Sequence, residues 1–145
     1  LKSQGPISSH ESPLSRYIVS GEPGIYMYIN YTTGYPYIRF NDSVNSEIAI
    51  PISTDMRNDN IWHHCVWSFD RSSNCLAYHN GSLSTTTSIS SRNASCDISQ
   101  VLQIGSNSSE SQNWLGGISG VKYYIKALSA GEVLQNYNMH KSRFG

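Results

Sequence analysis

Charged residues are scarce in this sequence. Only 14% of the 145 residues are Asp, Glu, Lys or Arg, whereas an average globular protein has about 25%. Acidic and basic residues number ten each, so the formal net charge is zero. Because a protein that binds nucleic acid needs a basic surface to neutralise phosphates, this composition argues against nucleic acid as a partner. No apolar run approaches the roughly 20 residues that span a bilayer, so the sequence predicts no membrane span.

Cysteine is also sparse, with Cys65, Cys75 and Cys96 as the complete set. An odd number leaves at least one thiol free or paired with another chain. Two interpretations stay open. One is a single disulfide in an oxidising compartment, for which the sequence does not choose among the three pairings. The other is three thiols that pack as small apolar side chains.

In place of charge, the chain is rich in hydroxyl, amide and tyrosine side chains. Serine and threonine together number 32, and there are 12 asparagines and 10 tyrosines. Tyrosine and threonine favour the pleated, half-buried surface of a β-sheet. Such a composition is typical of β-proteins from the extracellular space or the virion surface, where we expect this protein to work.

Most of the chain alternates with the period of a β-strand. Between Ile25 and Tyr31, for example, isoleucine and methionine alternate with tyrosine. Turn sequences such as Asn80-Gly81 separate about ten short runs, which predicts an antiparallel two-sheet sandwich. The predicted strands span 16–20, 25–31, 35–40, 47–52, 61–69, 75–80, 82–89, 97–104 and 114–126, the last with a bend or a break at its glycines.

One helix and two terminal segments complete the prediction. Ser129-Ala130-Gly131-Glu132 matches a capping box, which predicts a short helix over 130–138. Residues 1–14 contain two prolines and many polar side chains, and we predict that they form an N-terminal arm. The domain itself is expected over 15–138, with a tail over 139–145.

Four short segments in a fixed order carry a family resemblance. They are Trp62-His63-His64-Cys65-Val66-Trp67-Ser68-Phe69-Asp70, Tyr78-His79-Asn80-Gly81, Leu102-Gln103-Ile104-Gly105 and Trp114-Leu115-Gly116-Gly117-Ile118, followed by Leu128, Ser129, Glu132 and Tyr137. This order resembles the laminin-G-like and concanavalin-A-like lectin and glucanase superfamily from about Arg16 to Tyr137. The end of the chain is similar to such domains in virion and surface-fibre proteins.

The resemblance implies a fold and a kind of function. The fold is an all-β, two-sheet antiparallel jelly-roll sandwich with one short C-terminal helix. The function is that of a non-enzymatic structural or interaction module in an extracellular or virion surface assembly, such as a fibre, filament or capsid. A glycan or a receptor is a further expected partner.

One departure from the family pattern predicts self-association. Domains of this family usually open with a strand that carries an aromatic residue, and nothing before Arg16 supplies it. A sandwich that lacks a strand has an unpaired edge that another chain can fill. We therefore predict a homo-oligomer or polymer in which residues 1–14 add a strand to a neighbouring protomer.

Catalysis is not expected. Glycosidases of this superfamily use two carboxylates in the spacing Glu-x-Asp-x-x-Glu as acid and nucleophile. The chain has five glutamates and none in this spacing, and it contains neither a Gly-x-Ser-x-Gly elbow nor a P-loop. We predict no catalytic residues and no required cofactor.

A calcium-dependent lectin is the alternative function. Many relatives bind calcium at the rim loops through clustered Asp and Asn oxygens. The candidates in this chain are Asp42, Asp55 and Asp59. The same residues also suit ordinary turns.

Tyrosines on one predicted hairpin are the candidates for a binding surface. Tyr26, Tyr28, Tyr35 and Tyr37 could present aromatic rings to a sugar or a protein. The alternative, which we favour slightly, is that these tyrosines pair across strands and stabilise the sheet.

A histidine cluster has two interpretations. His63 and Cys65 share one face of a predicted strand, His79 follows on the next strand, and Cys75 is near. These side chains could bind zinc. We favour hydrogen bonds from the histidines to nearby loops.

Five Asn-x-Ser/Thr sequons lie at predicted turns or loops, where a glycan could be attached in a secreted protein. The candidate acceptors are Asn30, Asn41, Asn80, Asn93 and Asn107. Asn93 and Asn107 are the best candidates if the source is eukaryotic.

Overall fold

The computed structural model describes residues 1–4, 9–16, 22–107 and 112–144. These residues form ten strands and one helix. The strands are β1 (Lys2–Ser3), β2 (Glu11–Arg16), β3 (Gly24–Ile29), β4 (Pro36–Asn41), β5 (Ile48–Pro51), β6 (Cys65–Phe69), β7 (Asn74–His79), β8 (Ser82–Ser88), β9 (Gln103–Ile104) and β10 (Gly116–Gly117), and the helix is α1 (Ala130–Lys141). The predicted all-β architecture with a short C-terminal helix is confirmed.

The strands form antiparallel sheets that pack as a sandwich. One sheet has five strands in the order β5-β4-β3-β2-β9, a second has three in the order β6-β7-β8, and β1 pairs with β10. The β7–β8 turn uses Asn80 and Gly81, both at positive φ (49° and 81°), as expected for a tight hairpin.

The main hydrophobic core lies between the two larger sheets. Ile38 and Ile50 from the five-stranded sheet meet Cys75 and Ala77 from the three-stranded sheet. All four are at most 5% exposed. The side chains of β6 predicted to share one face, Cys65, Trp67 and Phe69, pack against this core. Because side chains alternate along a strand, the opposite faces of both sheets remain for other contacts.

The predicted capping box is present at the start of α1. The Ser129 side chain accepts a hydrogen bond from the Glu132 backbone, and the Glu132 carboxylate accepts one from the Ser129 backbone. Val133 is fully buried and packs with Leu128 and Tyr78. The helix continues to Lys141, three residues beyond the predicted end, so part of the predicted tail is helical.

The prediction of an N-terminal arm is wrong for the described part of residues 1–14. β1 pairs with β10, and β2 lies between β3 and β9, all within one chain. Prolines in this stretch had suggested an arm, yet Pro13 sits where the β2–β3 register shifts between Glu11 and Leu14. A bulge accommodates proline because its missing N–H is not needed in the ladder.

Two predicted strands are much shorter than expected. Of 97–104 only Gln103–Ile104 is a strand, and of 114–126 only Gly116–Gly117. In the first case Arg16 donates to the backbone carbonyls of Ile98 and Gln100, at 2.7 and 3.0 Å. A guanidinium therefore satisfies carbonyls that a strand would have offered to a neighbour. Most of the predicted strand over 16–20 lies outside the described residues.

Candidate ligand-binding surface

The outer face of the five-stranded sheet carries tyrosines. In the β3–β4 register Tyr28 pairs with Tyr37 and Tyr26 with Arg39, whereas Met27 pairs with Ile38. Ile38 is in the core, and side chains alternate between faces. The three tyrosines and Arg39 therefore project away from the core.

These aromatic side chains form a continuous stack. The Tyr28 ring lies between Tyr26 and Tyr37, with centroids 5.3 Å away on each side and interplanar angles of 13° and 11°. His10 contacts Tyr28 and Tyr31 with centroid distances of 4.8 and 5.2 Å. The stack thus runs from the sheet to the β3–β4 turn. We call the set formed by His10, Tyr26, Tyr28, Tyr31, Tyr37 and Arg39 the tyrosine face.

Only part of the tyrosine face is open to a ligand. Tyr26 and Tyr28 are 5% and 3% exposed, which corrects the expectation that they are surface aromatics. The Tyr26 hydroxyl donates a hydrogen bond to Gln112, and neighbouring rings cover Tyr28. For these two residues the interpretation as a sheet-stabilising pair is the better one. Tyr37 is half-buried and Tyr31 is 48% exposed.

Tyr35 lies near this surface without joining the stack. Its backbone N–H donates to Thr33 Oγ1 and its carbonyl accepts from Asn30. The residue is half-buried and helps to shape the β3–β4 turn that presents Tyr31.

An ion pair gives the tyrosine face its polar character. Arg39 Nη1 lies 3.0 Å from Glu47 Oε1, and both side chains are partly exposed. The Arg39 guanidinium also lies 5.0 Å from the Tyr28 ring centroid, within cation–π range. Burial raises the pKa of Tyr28 and the charge of Arg39 opposes that rise, so Tyr28 stays neutral. Exposed aromatic rings beside a guanidinium and a carboxylate can stack on a sugar ring and hydrogen-bond its hydroxyls.

Sequence reasoning missed His10, Arg39 and Glu47 as members of this surface. Arg39 had a usable signal, because it lies two residues from Tyr37 in an alternating strand and must share its face. No signal in the sequence pointed to His10, because it lies within residues 1–14, which were predicted to form an arm. Its contacts are also with residues that are distant in the chain.

The three calcium candidates already have hydrogen-bond donors on their carboxylates. Asp42 accepts from Asn45, Val44 and Ala94. Asp55 accepts from Arg57. A carboxylate committed to N–H donors is a poor calcium ligand. Within the described ranges, no group of three or more His, Cys, Asp or Glu is arranged to hold a metal ion.

The histidines that had suggested zinc contact each other. His63 Nδ1 lies 2.9 Å from His79 Nε2. On the other side of each ring, Asp59 Oδ2 lies 2.7 Å from His63 Nε2 and Thr54 Oγ1 lies 3.3 Å from His79 Nδ1. Cys65 instead contacts Met56, with 3.8 Å between their sulfur atoms. The favoured interpretation, histidines that hydrogen-bond to a loop, matches this arrangement.

Comparison with known proteins identifies the family. A family model described as the Concanavalin A-like lectin/glucanases superfamily matches residues 7–134, which is most of the chain. The chain belongs to this family. The resemblance stated from the sequence is thereby confirmed, and the match begins before the predicted domain boundary at residue 15.

One solved structure supports the fold assignment, whereas no curated protein matches the sequence. The concanavalin A-like domain is similar to the crystal structure of the binding domain of Paraclostridial Mosquitocidal Protein 1, with a TM-score of 0.67 and 18% identity. The alignment covers 90% of this chain and 32% of that chain, so the present chain spans about a third of its length. At this identity the likeness shows the fold.

The cysteines of the domain are free thiols, which corrects the disulfide alternative. Cys65 pairs in register with His79, and Cys75 pairs with Phe69. The two cysteines therefore lie four positions apart along the ladder, which exceeds the reach of a disulfide. Burial raises the pKa of both thiols to about 12, so they are inert apolar side chains. Cys96 lies in the loop before β9.

The five sequons differ in accessibility. Asn41 is 2% exposed and its side-chain amide donates to the Glu22 carbonyl. It is therefore a poor glycan acceptor, contrary to its candidacy. The Asn30 and Asn80 side chains accept backbone hydrogen bonds in turns, and Asn107 accepts one from Gln112. Asn93 is exposed in a loop and remains the best candidate.

Proposed function

We propose that this domain is a non-catalytic module that binds a glycan through the open part of the tyrosine face. The observation that carries the proposal is the joint placement of Tyr31, Tyr37, Arg39 and Glu47 on one outer sheet surface. Tyr31 and Tyr37 present exposed ring area, and the Arg39–Glu47 ion pair is partly exposed. Flat aromatic surface with a few placed polar groups is the usual composition of a small-molecule site.

The buried end of the stack supports the open end. Tyr28 is held by Tyr26 on one side, and by Arg39 above its ring. Its neighbours Tyr37 and His10 are therefore positioned before any ligand arrives. A preorganised surface binds more tightly because less side-chain entropy is lost on association.

The chemistry of the same surface gives little support to catalysis. Among the described residues of the tyrosine face and its ion pair, Glu47 is the carboxylate, and it is paired with Arg39. Hydrolysis of a glycoside needs two carboxyl groups on opposite sides of the scissile bond. Binding without turnover is the function that this arrangement supports.

We place the module in an extracellular or virion surface protein, where its ligand would be a glycan on a receptor or a cell. The predicted role in a self-associating assembly has less support. Its proposed donor strand is already paired, because β1 and β2 complete sheets within their own chain. We expect light scattering to give a monomer whose mass does not change with protein concentration.

A glycan array followed by titration of the best ligand tests the proposal. Tyr37→Ala and Arg39→Ala should each weaken binding about tenfold or more, the scale of a central contact residue. Tyr123→Ala is the matched control, because Tyr123 is a tyrosine 76% exposed outside the tyrosine face. Thermal unfolding checks that each variant is folded. Unchanged binding by the first two variants, or no binding to any glycan, would contradict the proposal.

Titration of the glycan in the presence of a chelator distinguishes this proposal from a calcium-dependent lectin. Because Asp42, Asp55 and Asp59 all accept hydrogen bonds from protein donors, we expect binding to persist in excess EDTA. Loss of binding with chelator and its recovery with calcium would favour the calcium-dependent alternative.

A further inference from the structure

We propose that the His63–His79 pair is a proton-operated latch that holds the loop 53–60 against the turn that presents Tyr31. Double protonation of the pair would release this loop and loosen the ligand surface at mildly acidic pH. The inference concerns regulation of the tyrosine face, and its link to ligand binding rests on the proposed function. The release itself does not depend on any ligand.

The latch joins a loop to a sheet. His63 lies two residues before β6 and His79 ends β7, whereas Thr54 and Asp59 lie near the two ends of the loop 53–60. Each histidine contacts the other and one loop residue. His63 is 8% exposed. The relay formed by Thr54, His79, His63 and Asp59 therefore holds the loop near both of its ends.

The donors and acceptors of the two rings match when both histidines are neutral. His63 donates from Nε2 to the Asp59 carboxylate, which leaves its Nδ1 as an acceptor. His79 can then donate from Nε2 to His63 Nδ1, and Thr54 can donate its hydroxyl to His79 Nδ1. All three observed distances, 2.7, 2.9 and 3.3 Å, are satisfied in this state.

The pair accepts one proton without breaking, but not two. A first proton on His79 Nδ1 only reverses the hydrogen bond to Thr54, whose oxygen can also accept. A second proton must go to His63 Nδ1, which then faces the N–H of His79 Nε2 at 2.9 Å. Two donors cannot hydrogen-bond to each other, and two imidazolium charges with ring centroids 5.1 Å apart repel. The pair must then separate.

Other ionisable groups around the latch mostly favour opening at low pH. Burial lowers the pKa of His79, and the neighbouring His63 lowers it further, although Asp59 opposes the shift. The Leu1 nitrogen lies 2.7 Å from the His63 carbonyl oxygen. Burial lowers the pKa of the adjacent His64 to about 4. Cys65 stays neutral throughout, because burial raises the pKa of its thiol to about 12.

The loop 53–60 reaches the tyrosine face through Arg57. The Arg57 guanidinium donates to the backbone carbonyls of Tyr31 and Thr32, at 2.8 and 3.0 Å. Asp55 fixes the same guanidinium through Nε and Nη2. The Met56 backbone N–H donates to the Gly34 carbonyl at 3.0 Å. Release of the loop removes these supports from the turn that carries the Tyr31 ring.

Gly34 shows how closely the loop and the turn fit. Its φ is +73°, and an added Cβ would lie 1.7 Å from Asp55 Oδ1 and 2.5 Å from Arg57 Nε. Only glycine allows this approach. The turn and the loop therefore move together or lose their contacts.

NMR of the ligand-free domain between pH 7.5 and pH 5, where histidines titrate, tests the latch. The expected result is a change of the His63 and His79 ring nitrogens from neutral to charged forms, together with loss of amide protection at Met56, Arg57 and Tyr31. His79→Gln keeps a hydrogen-bonding amide but cannot be protonated, so the loop should stay protected. His140→Gln, a histidine on α1 outside the relay, should behave as the wild type does.

Three results would overturn the latch: loop protection that does not change with pH, the same pH-dependent loss in His79→Gln, or stoichiometric binding of added zinc by both rings. The wild-type ring spectra decide the question even if His79→Gln does not fold. A separate titration of a glycan ligand at both pH values tests the link to function. Release of the loop without glycan binding at any pH would contradict the proposed function but would not contradict the latch.

Discussion

Asn45 binds the buried Asp42 carboxylate from both its backbone and its side chain. The Asn45 backbone N–H lies 2.6 Å from Asp42 Oδ1, and its amide Nδ2 lies 3.1 and 3.0 Å from the two carboxylate oxygens. The backbone N–H of Ala94 adds a further donor at 3.2 Å from a second loop. Asp42 therefore ties the loop after β4 to the loop after β8.

Removal of this carboxylate should strongly destabilise the domain. Asp42→Ala leaves several buried donors without a partner, and we expect the free energy of unfolding to fall by about 3 kcal/mol. Asp97→Ala is the matched control, because Asp97 forms an ion pair with Arg16 on an exposed side chain and should cost at most about 1 kcal/mol. Urea unfolding of both variants measures the difference. Equal losses would contradict the central role of Asp42.

Acid should weaken the domain through His64. Burial, aided by the charges of His140 and Lys122, lowers the pKa of His64 from 6.5 to about 4. Between these values the unfolded chain binds a proton that the folded domain does not, so stability is highest above pH 6.5 and falls as the pH falls towards 4. Melting temperature against pH should be shallower for His64→Gln than for the wild type. Parallel curves would show that other groups carry the acid sensitivity.

Asp42 should keep its contribution to the stability of the domain down to a lower pH than His64 does. Burial alone would raise the pKa of Asp42, but hydrogen bonds from Asn45, Val44 and Ala94 outweigh it and lower the pKa to about 2. A carboxyl group with a lowered folded-state pKa contributes stability that is complete above its ordinary pKa and is lost as the pH falls from there to the folded-state value. NMR titration of the carboxyl carbon should show no protonation of Asp42 at pH 4. Protonation near the ordinary value of 3.8 would contradict the hydrogen-bond account.

The helix should depend on its N-cap. Ser129→Ala removes the side-chain acceptor for the Glu132 backbone N–H and should lower the free energy of unfolding by about 1 kcal/mol. Ser142→Ala at the C-cap is the control, because there the backbone N–H of Ser142 makes the capping bond to His140. That control should change stability by less than about 0.5 kcal/mol. Thermal unfolding compares the two, and an equal effect would argue against the capping box.

Attachment of glycans to the sequons should follow the solvent exposure of their asparagines. When the domain is secreted from a eukaryotic host, we expect Asn93, exposed in its loop, to carry a glycan. Asn41 should remain unmodified, because its amide nitrogen is buried and donates to Glu22. Mass spectrometry of peptides before and after glycan removal measures both sites. A glycan on Asn41 would mean that the loop after β4 opens during folding or in the native state.

Local pattern was sufficient for most of the sheet and for the helix. The alternation between Ile25 and Tyr31 predicts β3, and the Asn80-Gly81 turn predicts the β7–β8 hairpin, because each signal depends only on neighbours in the chain. The capping box predicts α1 for the same reason. The tyrosines were predicted to lie on one hairpin, and Tyr26, Tyr28 and Tyr37 share its outer face, since the period of a strand decides which side chains share a side.

The errors concern places where a distant partner decides the outcome. Composition made residues 1–14 look like an arm, but pairing of Leu14 with Ile104 places β2 inside the sheet. Asp42 looked like a calcium ligand, and only the fold brings the backbone N–H of Ala94 to its carboxylate. Such contacts depend on which strand lies next to which, and that order does not follow from the sequence of any one segment.

By itself, then, the amino-acid sequence determined the class of fold, the faces of the strands, the capped helix and the family. Strand period, turn chemistry and motif order are local properties, so a reader of the sequence can obtain them directly. Only the tertiary structure decided that Tyr26 and Tyr28 are buried while Tyr31 is exposed and Tyr37 half-buried, and that His63 contacts His79. Burial and hydrogen bonding between strands from distant parts of the chain exist only once the two sheets have packed together.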